Sequence, residues 1–405
     1  MAIDPDLKPR LRPVEAFPMP DNGGVGRRIA LRDPSGISNA VITVSGAALQ
    51  LLAMMDGTRT CDDICDAFQA AVGQPLPRDR LESMVKQLEE ARFLDSDGFA
   101  AYYQSLLDAY RTNEVRELPQ TSALITDNDL NATLGGMLAD ENPVVLLRPV
   151  VGLIAPHLDY ARGRPCYAAA YAMLQRRSTP ERVVILGTNH FGRSTLVVAT
   201  ACHFRTPLGT TRNDRDFLHR IEQRCGNLRR YELDHAREHS IELQVAWLQH
   251  SFGAEAFAIV PFLCPDPCGP TGTAPANGDG VDLLDFAKAL GDVIAADEKD
   301  TLIVAAADLS HAGAVFGDNR PLDAAYLDEI RARDKQALDN LTANDPAGWV
   351  RCVSEGNNPT RICSAGCIFA LATAVRGASG TIARYHQAVD QSTQTCVTCA
   401  AVAFN

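Results

Sequence analysis

Three histidines in this sequence each follow an apolar run that ends in a turn. His157 follows Gly152-Leu-Ile-Ala-Pro, His190 follows Val183-Val-Ile-Leu-Gly-Thr-Asn, and His311 follows Leu302-Ile-Val-Ala-Ala-Ala-Asp-Leu-Ser. Such runs read as buried strands of a parallel sheet. In open α/β sheets, ligands bind in the crevice outside the strand carboxyl ends, where residues remote in sequence converge. Cys363, in Arg361-Ile-Cys-Ser-Ala-Gly366, stands at an expected loop-to-helix junction. A helix N-terminus lowers a thiol pKa and makes the thiolate available. Neutral imidazole and thiolate suit iron, copper and zinc better than magnesium or calcium. Asp308 stands three residues before His311, and a helical turn there would aim both into the crevice. His235 and His239 are four apart, a spacing that a helix would stack on one face. His203, His219, His250 and His386 lack any such placement and read as surface residues.

The elements that must carry these residues follow from the pattern. Apolar runs Pro149–Ala155, Val183–Leu186, Phe257–Leu263, Leu302–Ala307 and Cys396–Phe404 alternate with helical stretches such as YAAAYAMLQRR, SIELQVAWLQHSF and CIFALATAVRG. That alternation predicts an α/β domain over residues 149–405, with a largely parallel sheet flanked by helices. Cys264–Gly280 reads as a loop.

The chain has 405 residues, more than one core normally fills, so two domains are expected. Residues 1–25 read as a flexible leader. Residues 26–98 read as a small winged-helix α+β domain. Two strands surround the turn Asp33-Pro-Ser-Gly36, and Ser45 is placed to cap a first helix. Thr60 or Asp62 starts a second, and RDRLESMVKQLEEARF forms a third around Leu81, Met84, Val85 and Leu88. Leu94–Ala100 then reads as a short strand or wing. Residues 99–148 read as a polar connector, with some helix around Asp127–Leu138.

Composition limits the partners. A net charge of −12 with no basic run longer than a couple of residues argues against nucleic acid, which needs a clustered positive patch. No apolar stretch reaches the roughly 18 residues that span a bilayer, and the first residues carry no signal-peptide core. A cytoplasmic location is expected, with the 12 cysteines reduced. Cys396 and Cys399 form a Cys-x-x-Cys that no second one answers, and they read as buried thiols.

Two family resemblances follow from these residues. Residues 26–98, with Leu51-Leu-x-x-Met-Asp-Gly-Thr-Arg-Thr60 and then Asp62-Asp-Ile64, resemble PqqD-like domains. Members bind leader peptides of ribosomal natural products, so the resemblance implies a peptide or protein partner for this segment. Residues 151–405 resemble Memo proteins, the B component of AmmeMemoRadiSam systems. The matching pieces are Leu153-Ile-Ala-Pro-His157 with Asp159-Tyr160, Ile185-Leu-Gly-x-x-His190, Arg205-Thr-Pro-Leu208, Glu238-His-Ser-Ile-Glu242, Ile259-Val-Pro261, Ala307-Asp-Leu-Ser-His311, Ile362-Cys363 and Tyr385.

The Memo resemblance implies a fold similar to class III extradiol dioxygenases, which use non-haem iron. It implies His157, His190 and Cys363 as metal ligands, and Asp308, His311 and His239 as further pocket residues. Iron is the expected metal, with copper or zinc as alternatives. It also brings radical-SAM and other AmmeMemoRadiSam proteins as partners by association. Where the family often continues with Gly-Arg-His-Pro, this chain has Ser364-Ala-Gly-Cys367, and Cys367 reads as a packing residue.

The favoured function is a metal-dependent redox enzyme acting on, or recruited to, a peptide. His239 or His311 would be its general base, and Asp308 would orient His311. One alternative is a non-catalytic metal-sequestering or peptide-binding scaffold. Another is a zinc hydrolase using Glu238, Glu242 or Asp308 as its acid.

Overall fold

The computed structural model describes residues 4–19, 28–119, 122, 124, 129–139, 141, 144–276 and 278–405. The chain divides into two compact units, Met1–Tyr110 and Arg111–Asn405.

The first unit contains strands β1 (Glu15–Pro18), β2 (Arg28–Arg32) and β3 (Val41–Ser45), an antiparallel sheet in the order β1-β2-β3. Helices α1 (Ala48–Met54), α2 (Cys61–Val72) and α3 (Arg78–Glu90) pack Leu51, Leu52, Ile64, Phe68, Leu81, Val85 and Leu88 into its core. Thr60 caps α2 in a reciprocal box: its hydroxyl accepts from Asp63 N at 3.2 Å, and its own N–H donates to the Asp63 carboxylate at 2.9 Å. Ser45 ends β3 and caps nothing; α1 starts at Ala48 without a side-chain cap.

Two further differences from the sequence reading concern this unit. Part of the expected leader is structured, because Glu15–Pro18 pairs along β2. The rest of the leader at residues 1–3 and 20–25, and the first two residues of the expected winged-helix unit, lie outside the described residues. In place of a wing, a helix α4 (Asp97–Thr112) begins where Ser96 Oγ accepts from Phe99 N at 3.0 Å. Phe99, Tyr103 and Leu107 are buried at i, i+4 and i+8, a helical stripe that outweighs the strand reading of Leu94–Ala100.

The second unit holds β4 (Val115–Arg116), α5 (Leu130–Leu138), β5 (Gly152–Ala155), α6 (Tyr160–Ala172), β6 (Arg182–Thr188), β7 (Val198–Ala199), β8 (His203–Thr206) and β9 (Gly209–Asn213). These are followed by α7 (Arg215–Cys225), α8 (His239–Phe252), β10 (Ala258–Cys264), α9 (Leu283–Ala295), β11 (Thr301–Ala306) and β12 (Asp308–Gly313). The last are α10 (Ala324–Thr342), α11 (Pro346–Ser354), α12 (Ala365–Ala374), β13 (Gly380–Asp390) and β14 (Thr395–Phe404). The helix expected around Asp127–Leu138 is α5, capped by Asp129; its expected first two residues lie outside the described residues.

One sheet runs β12-β14-β5-β11-β6-β10-β9-β8-β4, with β13 on β14 and β7 on β10. Its centre, β5-β11-β6-β10, is parallel throughout, and antiparallel pairs extend it on both sides. Strand alternation divides the core in two. Ile154, Val184 and Leu186 face α7, α9, α11 and α12, while Leu153, Ala155, Val183 and Ile185 face α5, α6 and α8. On the second face Trp247 stacks on Tyr171 with ring centroids 4.7 Å apart. Among the described residues, no helix is long and apolar enough to cross a membrane.

The parallel centre brings the carboxyl ends of β5, β6 and β11 to one edge, and α12 packs against that edge. Gly366 allows its approach, because a Cβ there would collide with the carbonyl oxygen of Pro265 at the end of β10. Gly366→Ala is therefore expected to lower stability by about 1–3 kcal/mol. Denaturant unfolding measures this, and an unchanged midpoint would show that the helix start has room to move.

Candidate metal centre

His157, two residues past β5, is 3% exposed. Its ring Nδ1 lies 3.0 Å from the Ala306 carbonyl oxygen at the end of β11. A carbonyl only accepts, so Nδ1 carries the proton and Nε2 is left for the pocket. His190, two residues past β6, is fixed in the same sense by a carboxylate. Its N–H donates to Glu238 Oε2 at 2.8 Å, and its Nδ1 lies 3.1 Å from Glu238 Oε1. Glu238 is buried and also accepts from Ser240 N at 2.9 Å, so its position is set by the start of α8.

Cys363 closes the triangle. Its Sγ is 3.4 Å from His157 Nε2, and ligand atoms of His157, His190 and Cys363 all lie within 4.8 Å of one another. Burial alone would raise the Cys363 thiol pKa. The neighbouring His157 charge and hydrogen bonds from His157 and His190 overcome this and bring it to about 5. Burial would likewise push His157 down, but Asp308 and Cys363 raise it to about 9. His190 is raised well above its ordinary value against burial, by hydrogen bonds to Cys363 and Glu238. A thiolate here requires positive charge beside it. In the metal-free protein imidazole protons supply that charge. A metal ion would supply it equally, so the donor set fits one.

The remaining expected residues divide. Asp308 and His311 both line the same pocket as His157 and His190, but on a strand rather than a helical turn. Residues three apart on a regular strand face opposite sides; the register shift between Asp308 and His311 in the β12–β14 ladder brings them to one side. Asp308 does not orient His311. Its Oδ1 accepts from His157 N at 3.1 Å and its Oδ2 lies 3.5 Å from His157 Nε2. His311 Nδ1 instead faces the carbonyl oxygens of Leu309 and Arg361, each at 3.1 Å. His239, the first residue of α8, stacks on His190 with centroids 4.8 Å apart. Burial pushes its pKa down to about 4, so it is neutral at physiological pH.

His235 does not share a helix face with His239. It lies in the 3-10 turn Glu232–Ala236, with Nε2 3.0 Å from the Val198 carbonyl oxygen. Cys367 is 1% exposed, 3.5 Å from Thr188 Oγ1, and it hydrogen-bonds the buried Cys264 rather than the histidines. Cys396 and Cys399 belong to different core clusters, as residues three apart on a strand should.

A sequence profile of the Memo-like protein family matches residues 126–403. A MEMO1 family protein of Methanopyrus kandleri is 32% identical over 245 residues, covering 60% of this chain and 77% of that protein. One from Aquifex aeolicus is 25% identical over 368 residues, 88% of each chain. Another from Thermus thermophilus is 27% identical over 351 residues, 85% of this chain and 98% of the relative. The last two matches are longer than the second unit and so extend into the first.

The family profile begins after Arg116 and Ser122, two residues that sequence reasoning passed over as connector. Arg116 is buried and holds the start of α8 from β4. Its guanidinium donates to the carbonyl oxygens of His235 at 3.1 Å and Glu238 at 2.8 Å, and to Glu242 Oε2 at 2.5 Å. Ser122 donates to the other oxygen of Glu242. Both ion-pair side chains are at most 1% exposed. Removing one partner of a buried pair strands the other charge, so Arg116→Met is expected to cost about 3–5 kcal/mol of stability. The double variant Arg116→Met, Glu242→Leu should recover most of that loss. Urea unfolding of the two proteins tests the pair, and equal losses in both would show that the charges are not coupled.

Proposed function

The chain belongs to the Memo-like protein family, and from that premise and the pocket geometry we propose that it is a transition-metal-dependent redox enzyme. His157, His190 and Cys363 hold the metal, with iron the first candidate and copper or zinc the alternatives. The observation that carries this reading is the convergence of the three donor atoms within 4.8 Å. Bound iron or copper supplies one-electron redox capacity and Lewis acidity, of which zinc supplies only the second.

The chain's own residues define what surrounds that chemistry. Asp308 and Ala306 O fix the His157 backbone and ring tautomer, and Glu238 does the same for His190. His239, neutral and on the pocket wall, is placed to accept a proton from a substrate. His311, whose Nδ1 donates to backbone carbonyls, presents Nε2 as a second acceptor. Phe191 and Phe316 line the same pocket and give part of its wall an apolar face.

The hydrolase alternative would have to release one of its candidate acids from a partner. Glu238 is committed to His190, Glu242 to Arg116 and Ser122, and Asp308 to His157.

For the first unit we propose docking of a peptide or protein partner, as its PqqD-like sequence implies. The support is an antiparallel sheet whose last strand, β3, pairs with β2 and carries an exposed Val41.

The test is metal analysis of protein purified without oxygen, for the parent, Cys363→Ser and Cys367→Ser. Iron or copper near one per chain supports the redox reading, while zinc alone moves it to hydrolysis or sequestration. Cys363→Ser is expected to weaken metal binding by about 10–100-fold, the loss typical of even an outer-shell partner. Cys367→Ser should bind as the parent does. Unchanged affinity in Cys363→Ser would remove the sulfur from the ligand set.

A further inference from the structure

The pocket around His157, His190 and His239 has a volume of about 480 Å³, within the range of small-molecule sites. Two arginines line it, Arg162 and Arg237. Arg162 is neutralised by Asp159, its Nε 2.5 Å from Oδ2. The lining carboxylates Asp308 and Glu242 are likewise engaged, by His157 and by Arg116 with Ser122. Arg237 differs: among the described residues it has no ion-pair or hydrogen-bond partner.

The residues on either side of it are held in place. On one side lies the turn Glu232–Ala236, in which Asp234 accepts from Arg193 N and Ser194 N and His235 faces Val198 O. On the other lies buried Glu238. Arg237 is exposed, so its guanidinium at the rim of the cavity is open to a planar anion, which it can meet as a two-pronged fork. The rest of the lining includes Phe191, Leu158, Leu243 and Phe316, which suits an apolar or aromatic body beside that anion.

We propose that Arg237 receives a carboxylate of the substrate, which is a small molecule or chain end carrying that acid next to an apolar or aromatic group. This rests on the reading of the pocket as a metal-containing substrate site. A carboxylate fits better than a phosphate because Arg237 is the lining cation without a partner among the described residues, and a dianion would call for a second. The acid has two natural sources, a free organic acid or the C-terminus of a peptide.

The test uses the full chain loaded with zinc, a redox-silent probe metal, in calorimetric titrations. The probes are 3-phenylpropanoate, its amide, phenyl phosphate, and the dipeptide N-acetyl-alanyl-phenylalanine with a free or amidated C-terminus. The parent should bind the acid about tenfold or more tightly than the amide, the scale of hydrogen bonds to a charged group. Arg237→Gln should lose most of that preference while its zinc content stays equal to the parent's. A free-acid preference in the dipeptide identifies a peptide C-terminus as a substrate end; preference confined to 3-phenylpropanoate identifies a free acid. If the parent takes up no zinc, the metal reading fails by itself, and the same acid-to-amide comparison on metal-free protein still reads Arg237. Equal binding of acid and amide would overturn the proposal. So would a preference that survives in Arg237→Gln, which places the carboxylate elsewhere, or tighter binding of phenyl phosphate than of the acid.

Discussion

The thiolate of Cys363 sets the conditions that the rest of the second unit meets. Its sulfur lies 3.4 Å from His157 Nε2 in a site where burial by itself would keep it protonated. A charge in such a place persists only with opposite charge or donors against it. The two imidazoles provide these, and each must be turned with Nε2 inward. The Ala306 carbonyl performs that for His157 and Glu238 for His190. The requirement therefore passes outward, from sulfur to imidazole to the atoms behind the imidazoles. Those atoms belong to β11 and to the start of α8, so the site depends on the register of the sheet and the placement of one helix.

At that helix start three buried charges, Arg116, Glu238 and Glu242, come together. Glu238 and Glu242 lie one turn apart on α8 and its cap, both buried. Two carboxylates so close would repel without compensation. Arg116 answers Glu242 directly and binds the Glu238 carbonyl, while His190 and Ser240 answer the Glu238 side chain. Buried ion pairs seldom add net stability compared with well-packed apolar residues. What this one contributes is position: it fixes the residues flanking His239 from a strand more than 100 residues earlier.

The sequence made the first layer of this legible. Apolar runs ending at His157 and His190 read as strands because parallel strands buried on both faces leave little else to be. Their carboxyl ends then fall at one edge by topology. Cys363 could be placed by its junction with a helix. The partners were much less visible. Asp308 and His311 look like a helical-turn pair, and only a bulge against β14 explains how a strand presents both while Asp308 serves His157 instead. Arg116 sits in a polar stretch without periodicity, and its partner Glu242 lies 126 residues away. Nothing local marks it. In the first unit, Leu94–Ala100 read as a short strand or wing, yet Phe99, Tyr103 and Leu107 already carried helical spacing. Burial of that stripe outweighed the cost of one glycine in the first turn.

The pattern of satisfied and unsatisfied groups argues for the kind of work the pocket does. Among the described residues every carboxylate on its wall is engaged by a protein partner, so none is left over to bind a cationic substrate. The groups that face the cavity are of the other type: the Cys363 sulfur and the imidazoles, which hold one another and could exchange those contacts for a metal, and the Arg237 guanidinium, which has no partner among the described residues. Unsatisfied groups facing a cavity are where binding energy is available to a ligand, since groups already paired gain little by exchanging partners. Soft donors on one side of the cavity would suit a transition metal, and a planar cation on its rim would suit an anion. A substrate bridging the two would be held at both ends, its reactive part over the donors and its charge at Arg237. Holding a substrate by a group remote from the reacting atoms is how an enzyme orients it without committing the metal's own positions to binding.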